Sequence, residues 1–260
     1  MANYWAERQA RAQAKLTSKN INATKKQLTK YYYQSMENCI GSFLQTYNKI
    51  LRAVEEGREP TPADLYKLDS YWKMQNQLRQ ELQKLGDKEL HLLSDRFVNQ
   101  YMDIYKSVAL GSEPAFTSAS IETAQQMINH IWCADGKSWS DRVWKNTKKL
   151  QQALNDRLLE CVINGKTTSD LKKMLQEEFA VSYGRADALV RTEMAHIQTE
   201  AAKQRYKDYG IEEVEILADE DERRCKVCGQ LHGKKYPIGA AIPIPAHPKC
   251  RCCIVPVVKN

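Results

Sequence analysis

The sequence has no run of about 18 apolar residues, the length a helix needs to cross a bilayer. The uncharged stretch from Tyr236 to Pro248 is the nearest approach, and Pro237, Pro243, Pro245 and Pro248 prevent it from spanning as a helix. A membrane is therefore not expected as a partner. Apolar residues are also too sparse for one compact globule: mean hydropathy is −0.62 and 27% of residues are charged. That balance suits long amphipathic helices with wide solvated faces. No spacing places a general base beside a nucleophile, so no catalytic residue is expected. A thiol oxidoreductase needs a Cys-x-x-Cys opening a helix in a βαβ setting, which the sequence after Cys228 does not suggest. An HNH-type nuclease needs a further His beside its metal; His232 is the spare one and no Asn or Asp pattern accompanies it. The N-terminal residues do not read as a secretory leader, and Cys39, Cys133 and Cys161 sit in helical patterns, so a disulfide framework is the weaker expectation.

What is present begins with charge. The chain of 260 residues has a formal net charge of +7, and residues 1–30 hold Arg8, Arg11, Lys15, Lys19, Lys25, Lys26 and Lys30 against one acid, Glu7. Nearly all the imbalance is therefore in an N-terminal arm. Such an arm suits DNA phosphates or an acidic protein surface, and equally a solvated helix face.

Helical periodicity dominates the next hundred residues. Residues 4–19 read as a basic helix, and a long one follows from Thr24 to Glu56 on the stripe Leu28, Tyr32, Met36, Ile40, Phe43, Tyr47, Ile50, Val54. Of the run Tyr31-Tyr32-Tyr33, only Tyr32 is on the stripe, which favours core over a base-stacking platform. Gly57 to Pro60 breaks the pattern, and Thr61 with Pro62 restarts it as a helix carrying Leu65, Leu68, Trp72, Leu78, Leu82 and Leu85, closing at Gly86. A third, from Asp87, shows Leu90, Leu93, Phe97, Tyr101, Ile104 and Val108 on one face. Three such stripes predict an elongated helical region over residues 1–113, bounded by the linker-like Gly111-Ser112-Glu113-Pro114. A helical middle region, 114–211, follows with helices near 120–133, 140–163 (capped by Ser140), 168–179 and 183–209, the last stopped by Gly210; Trp139 and Trp144 read as core. Asp135-Gly136-Lys137 marks a turn.

Beyond Gly210 the period changes. Glu213 to Leu217 alternates as a strand, Asp219 to Glu222 is an acidic turn, and residues 253–258 form a second, edge-type strand. Residues 212–260 thus predict a small β-containing module, making the fold mainly α, or α+β overall. Five of the eight cysteines lie here: Cys225, Cys228, Cys250, Cys252 and Cys253. A Cys-x2-Cys turn, with Gly229 able to take positive φ, sets two thiolates on one side of a bend, and His247 and Cys250 complete a four-ligand set typical of structural zinc. Cys252 is an alternative to His247 or Cys250, since Cys250 and Cys252 would share a face of an extended segment. A metal clip would stabilise a module this poor in apolar side chains.

The segment Asp221 to Cys228, the Leu231-His232-Gly233-Lys234 that follows, and His247-Pro248-Lys249-Cys250-Arg251-Cys252, with Arg191-Thr192-Glu193 upstream, resemble the C-terminal signature of phage Mu F-like minor head (head morphogenesis) proteins. Tyr4-Trp5 with Arg8 resembles the opening of Gram-positive phage members. The resemblance covers about the last third of the chain. It implies a minor head protein of a tailed phage or prophage, present in the virion at the head interior or portal vertex after assembly in the bacterial cytoplasm. Implied partners are the portal protein and the scaffold or major capsid protein, with packaged DNA as a further one through the basic arm. The rival is a cellular zinc-containing nucleic-acid-binding protein. The Arg191-Thr192-Glu193 triplet and His196 are expected to fix their helix against the tail rather than to catalyse.

Overall fold

A computed structural model describes residues 2–54, 63, 69–110, 117, 119–218 and 224–258, without the side chains of residues 2, 3, 5, 53 and 54. In chain order the described elements are α1 (Ala2–Val54), α2 (Asp69–Ser107), α3 (Ile121–Asn129), α4 (Trp139–Ile163), α5 (Thr168–Asp208), β1 (Glu213–Leu217), α6 (Lys226–Leu231), β2 (Lys235–Pro237) and β3 (Cys253–Pro256). The expected mainly helical fold with a small C-terminal sheet is what is found. The Gly57–Pro60 break, the Thr61 cap, Leu65, Leu68, the Gly111–Pro114 linker and the acidic turn at 219–222 lie outside the described residues.

The helices are fewer and longer than periodicity suggests. α1 runs unbroken through Asn20–Ala23, because Ile21 and Thr24 continue the buried stripe and Thr24 Oγ1 donates back to the Asn20 carbonyl at 2.8 Å. α2 passes straight through Gly86, and α5 joins two expected helices through a buried Ser182. α3 is shorter than expected, capped by Ser120 and ended at His130, so Cys133 lies in a turn. Gly136 and Gly210 take positive φ where turns and a helix stop were expected. On α2 the stripe is carried by Tyr71 and Met74, while Trp72 is 55% exposed.

The chain divides into two compact units, each assembled from separated stretches. One comprises Lys26–His91 and Ser140–Asp187. Its core joins Phe43, Tyr47 and Ile50 of α1, Met74, Leu78 and Leu82 of α2, Leu150, Leu154 and Leu158 of α4, and Leu171, Leu175 and Phe179 of α5. Four amphipathic segments bury their apolar stripes against one another, the usual solution for helices with one apolar face. Tyr32 is in this core, Tyr33 is exposed and Tyr31 packs at the margin.

The other unit comprises Met1–Lys25, Leu92–Trp139 and Ala188–Asn260. Phe97, Tyr101 and Ile104 of α2, Val190, Met194 and Ile197 of α5, and Val214, Ile216 and Ile254 of the sheet are all buried in it. Trp139 donates to the Ile128 carbonyl at 3.1 Å and meets Phe97 edge-on. The sheet has the order β2-β1-β3, antiparallel throughout, with Glu215 opposite both Lys235 and Val255. β3 is therefore at an edge, as Pro256 requires. The sheet does not rely on itself for a core. Cys253 and Val255 pack with Ala10 of α1, and the Tyr206 hydroxyl of α5 donates to the Ile254 carbonyl while accepting from Gln13.

Candidate metal centre

The Cys-x2-Cys does open a helix, though a six-residue one with no βαβ setting. Cys225 is the N-cap of α6: its backbone is extended and its sulfur accepts from the Cys228 amide at 3.3 Å. Capping by sulfur points the Cys225 side chain back over the first turn, from which Cys228 rises, so both sulfurs reach the same side. Gly229 lies within this turn, its amide donating to the Cys225 carbonyl at 2.9 Å, and does not take positive φ; Gly233, with φ 76°, does so at the turn into β2. His232 is committed elsewhere. Its Nδ1 accepts from the Ala218 amide at 3.2 Å, bracing α6 against the end of β1, a role the sequence pattern did not reveal.

The second half of the centre hangs on a loop. Cys250 donates its amide to the His247 carbonyl at 3.1 Å, and Lys249 is in the left-handed region with φ 63°. The Lys249 amide donates to Thr192 Oγ1 of α5 at 3.1 Å. A short polar side chain on the helix thus fixes the loop that presents His247 and Cys250. The expected hydrogen bond between the Arg191-Thr192-Glu193 triplet and the tail exists, carried by its central residue. Glu193 instead accepts from Trp132 Nε1 at 3.0 Å, and Trp132 stacks on His196 with ring centroids 4.2 Å apart. Burial holds His196 down at a pKa of about 4, so it is a neutral, packed ring at neutral pH.

Around Cys228 the donor atoms form two overlapping groups: Cys225, Cys228 and His247, and Cys228, Cys250 and Cys252. His247 Nε2 is 3.3 Å from the Cys225 sulfur and 3.1 Å from that of Cys228, and the Cys228 and Cys250 sulfurs are 3.8 Å apart. Ligands at about 2.3 Å (S) and 2.0–2.1 Å (N) from a tetrahedral zinc would be separated by roughly 3.5–3.8 Å. The Cys225–His247, Cys228–His247 and Cys228–Cys250 spacings come within about half an ångström of that, and the expected set of Cys225, Cys228, His247 and Cys250 is divided between the two groups that share Cys228. The cluster can hold a metal, and none of the eight cysteines of the chain is in a disulfide.

Electrostatics separate the thiols. Hydrogen bonds from the Cys228 amide hold the Cys225 thiol below its usual range. Cys250 is lowered to about 5, first by the hydrogen bond from Cys252, whose own thiol is raised in consequence. Burial pushes Cys228 up to about 12, and the hydrogen bond to the Pro248 carbonyl raises His247. Thiolate character thus concentrates on Cys225 and Cys250, with Cys252 acting as donor to the latter. Cys253 faces away, into the contact with Ala10.

Residues 152–255 match the family described as Phage Mu protein F like protein, a span that holds all five clustered donors and Thr192. Over that span the chain is similar to that family. The NAD(+)–arginine ADP-ribosyltransferase EFV of Enterococcus faecalis (strain ATCC 700802 / V583) is 24% identical over 166 residues, which are 54% of this chain and 34% of that protein. The chain spans about a third of the length of that curated relative. No solved structure matches it. No helix among the described residues is long and apolar enough to cross a membrane.

The basic arm is also placed. Arg8, Arg11, Lys15 and Lys19 follow one another at steps of three and four along α1 and are exposed, so they share one face, whereas Lys25 is half-buried. Arg11 pairs with Glu7 at 3.5 Å on the exposed surface, a contact of little energetic weight.

Proposed function

We propose that this protein is a minor head protein of a tailed phage or prophage, acting in head morphogenesis at the portal, with its C-terminal centre holding one structural zinc ion through Cys225, Cys228, His247 and Cys250. The observation that carries the reading is that the family match and the metal-type donor cluster fall on the same stretch, residues 152–255. The virion is its location on this reading, and the portal protein, with scaffold or major capsid protein, its partners. The zinc would join α6 to the 247–250 loop, adding to Thr192 a second tie on that loop; it would supply no chemistry beyond that cross-link.

The test has two arms. Interrupting the gene in the parent phage or prophage should yield aberrant heads, seen by electron microscopy, and mass spectrometry of virions from the uninterrupted phage should find the protein in them. Normal heads that never contain the protein would exclude the morphogenesis role. Elemental analysis of the purified, reduced chain should give about one zinc per chain, and a metal-free protein with a Cys225–Cys228 disulfide would exclude the zinc site.

The exposed basic face of α1 favours one additional contact, with packaged DNA. If Arg8, Arg11, Lys15 and Lys19 meet phosphates, replacing them with Gln should flatten the salt dependence of DNA affinity, because fewer counterions are then released. An unchanged slope would assign that face to an acidic protein surface or to solvent.

A further inference from the structure

Five buried side-chain oxygens among the described residues lack a hydrogen-bond partner: Gln13 Oε1, Ser35 Oγ, Glu89 Oε1, Asn146 Oδ1 and Ser182 Oγ. All but the first belong to the unit Lys26–His91 with Ser140–Asp187. Glu89, Asn146 and Ser182 meet in one layer. The Tyr32 hydroxyl of α1 donates to Glu89 Oε2 of α2 at 3.0 Å and accepts from Asn146 Nδ2 of α4 at 3.1 Å. The same Asn146 amide donates to the Ser182 carbonyl of α5 at 3.0 Å. Tyr183, next along α5, closes the layer edge-on against Tyr32, with ring centroids 5.6 Å apart. Each of the four helices of the unit contributes, and Glu89 is 1% exposed.

Two acceptors of the layer are unmet. The Tyr32 hydroxyl hydrogen is committed to Glu89, while Glu89 Oε1 and Asn146 Oδ1 accept nothing. Charge is also uncompensated. Tyr32 meets Glu89 from another helix, and Asn146 and Ser182, next in the layer, are not cationic either; Lys88 of its own helix lies over the Tyr31 ring instead. No described cation pairs with Glu89. A buried, unpaired carboxylate is costly, and one proton cures both defects by cancelling the charge and supplying the missing donor.

We propose that this unit folds around a protonated Glu89 and loosens when the proton leaves, so that the Tyr32–Glu89–Asn146–Ser182 layer is a proton-sensitive latch holding its four helices. Burial raises Glu89 from 4.5 to about 7, outweighing the hydrogen bond from Tyr32, which acts the other way. A carboxyl whose folded value lies above its unfolded value keeps its proton in the folded state while the unfolded chain loses it. Stability therefore falls as pH rises from about 4.5 through 7 and then levels. Between pH 6 and 8 the equilibrium for opening this unit should shift toward the open form by about tenfold.

Hydrogen exchange of the full chain, corrected for intrinsic rates, tests this at amides 28–36, 85–91, 143–150 and 179–186. Protection should drop about tenfold from pH 6 to pH 8 in the native protein, and Glu89→Gln, which keeps the shape and adds a donor, should remove that drop. Equal protection at both pH values in the native chain, or an undiminished drop in the variant, overturns the proposal. Infrared spectroscopy of the native protein needs no variant. A protonated-carboxyl band present at pH 6 and lost by pH 8 supports a proton on Glu89, since the other carboxyls with a resolved shift, Glu122 and Asp170, are lowered. Absence of that band at pH 6 refutes it.

Discussion

Gly86, in the middle of α2, is a slot for the indole of Trp144: a Cβ added there would lie 2.5 Å from Trp144 Cζ3 and 2.9 Å from Cη2. The glycine therefore does not end the helix, as its residue type suggests. It lets a ring from α4 rest on the helix backbone, within one unit.

Gly86→Ala should consequently destabilise the protein by about 1–3 kcal/mol through overpacking, against a helix-propensity gain of at most about 1 kcal/mol. Gly41→Ala, on α1 with nothing within 4 Å of the new Cβ, should instead stabilise by about 0.5–1 kcal/mol. Urea unfolding of both variants measures the contrast. A stabilising Gly86→Ala would show that the slot is not needed.

The bond from the Lys249 amide to Thr192 predicts a metal effect at a distance. Thr192→Val should weaken zinc affinity by about 10- to 100-fold, the range for losing a group that orients a ligand, with the helices unchanged. Competition against a chromophoric chelator, with circular dichroism as the fold control, checks it. Unaltered affinity would mean that the loop holds its shape without α5.

Because the sheet is covered by α1 and α5, stripping the metal with a chelator should raise exchange in residues 224–234 and 244–252 while β1 and β3 stay protected. Simultaneous loss of both strands would show that the cross-link, and not the helices, holds the sheet.

Tyr206→Phe should destabilise by about 1–3 kcal/mol, since it leaves the buried Gln13 amide without its acceptor and the Ile254 carbonyl without its donor. The loss should appear first as faster exchange in β3, which denaturant-dependent exchange resolves.

His196 sets a pH dependence opposite in sign to that of Glu89. Its folded pKa, about 4, lies below the usual 6.5, so the unfolded chain takes up a proton first and stability falls as pH drops from 6.5 toward 4. Exchange at residues 190–200 followed from pH 7 to 5 should show this loss. His196→Gln should blunt it, and an equal loss in the variant would place the sensitive group elsewhere.

Much of this was legible in the sequence where one local rule was decisive. Leu28, Phe43 and Tyr47 repeat at helical steps because burial selects them, and the Cys-x2-Cys spacing with His247 announces one of the two donor groups that share Cys228, while the other takes in Cys252. Gly86 and Asn20–Asn22 look like breaks because glycine and asparagine are weak helix formers, and packing along α2 and α1 overrides them. Gly229 suggests a turn conformation that Gly233 takes instead, because capping by Cys225 starts a helix before the glycine is reached. Glu89 gave no signal at all. A single Glu on a helix reads as solvated until three other helices are placed around it.

The contact of Ala10 with Cys253 and Val255 bears on how the protein can be dissected. A fragment limited to residues 152–255 would lack Ala6, Ala10 and Gln13, and would present the flank of β3 and the end of Tyr206 to water. Such a fragment should be insoluble, and its failure would say nothing about the metal. A soluble minimal piece has to include the turns of α1 around Ala6, Ala10 and Gln13, supplied in trans as a peptide or joined by permutation, because the polypeptide that closes this sheet lies far along the chain from the strand it covers.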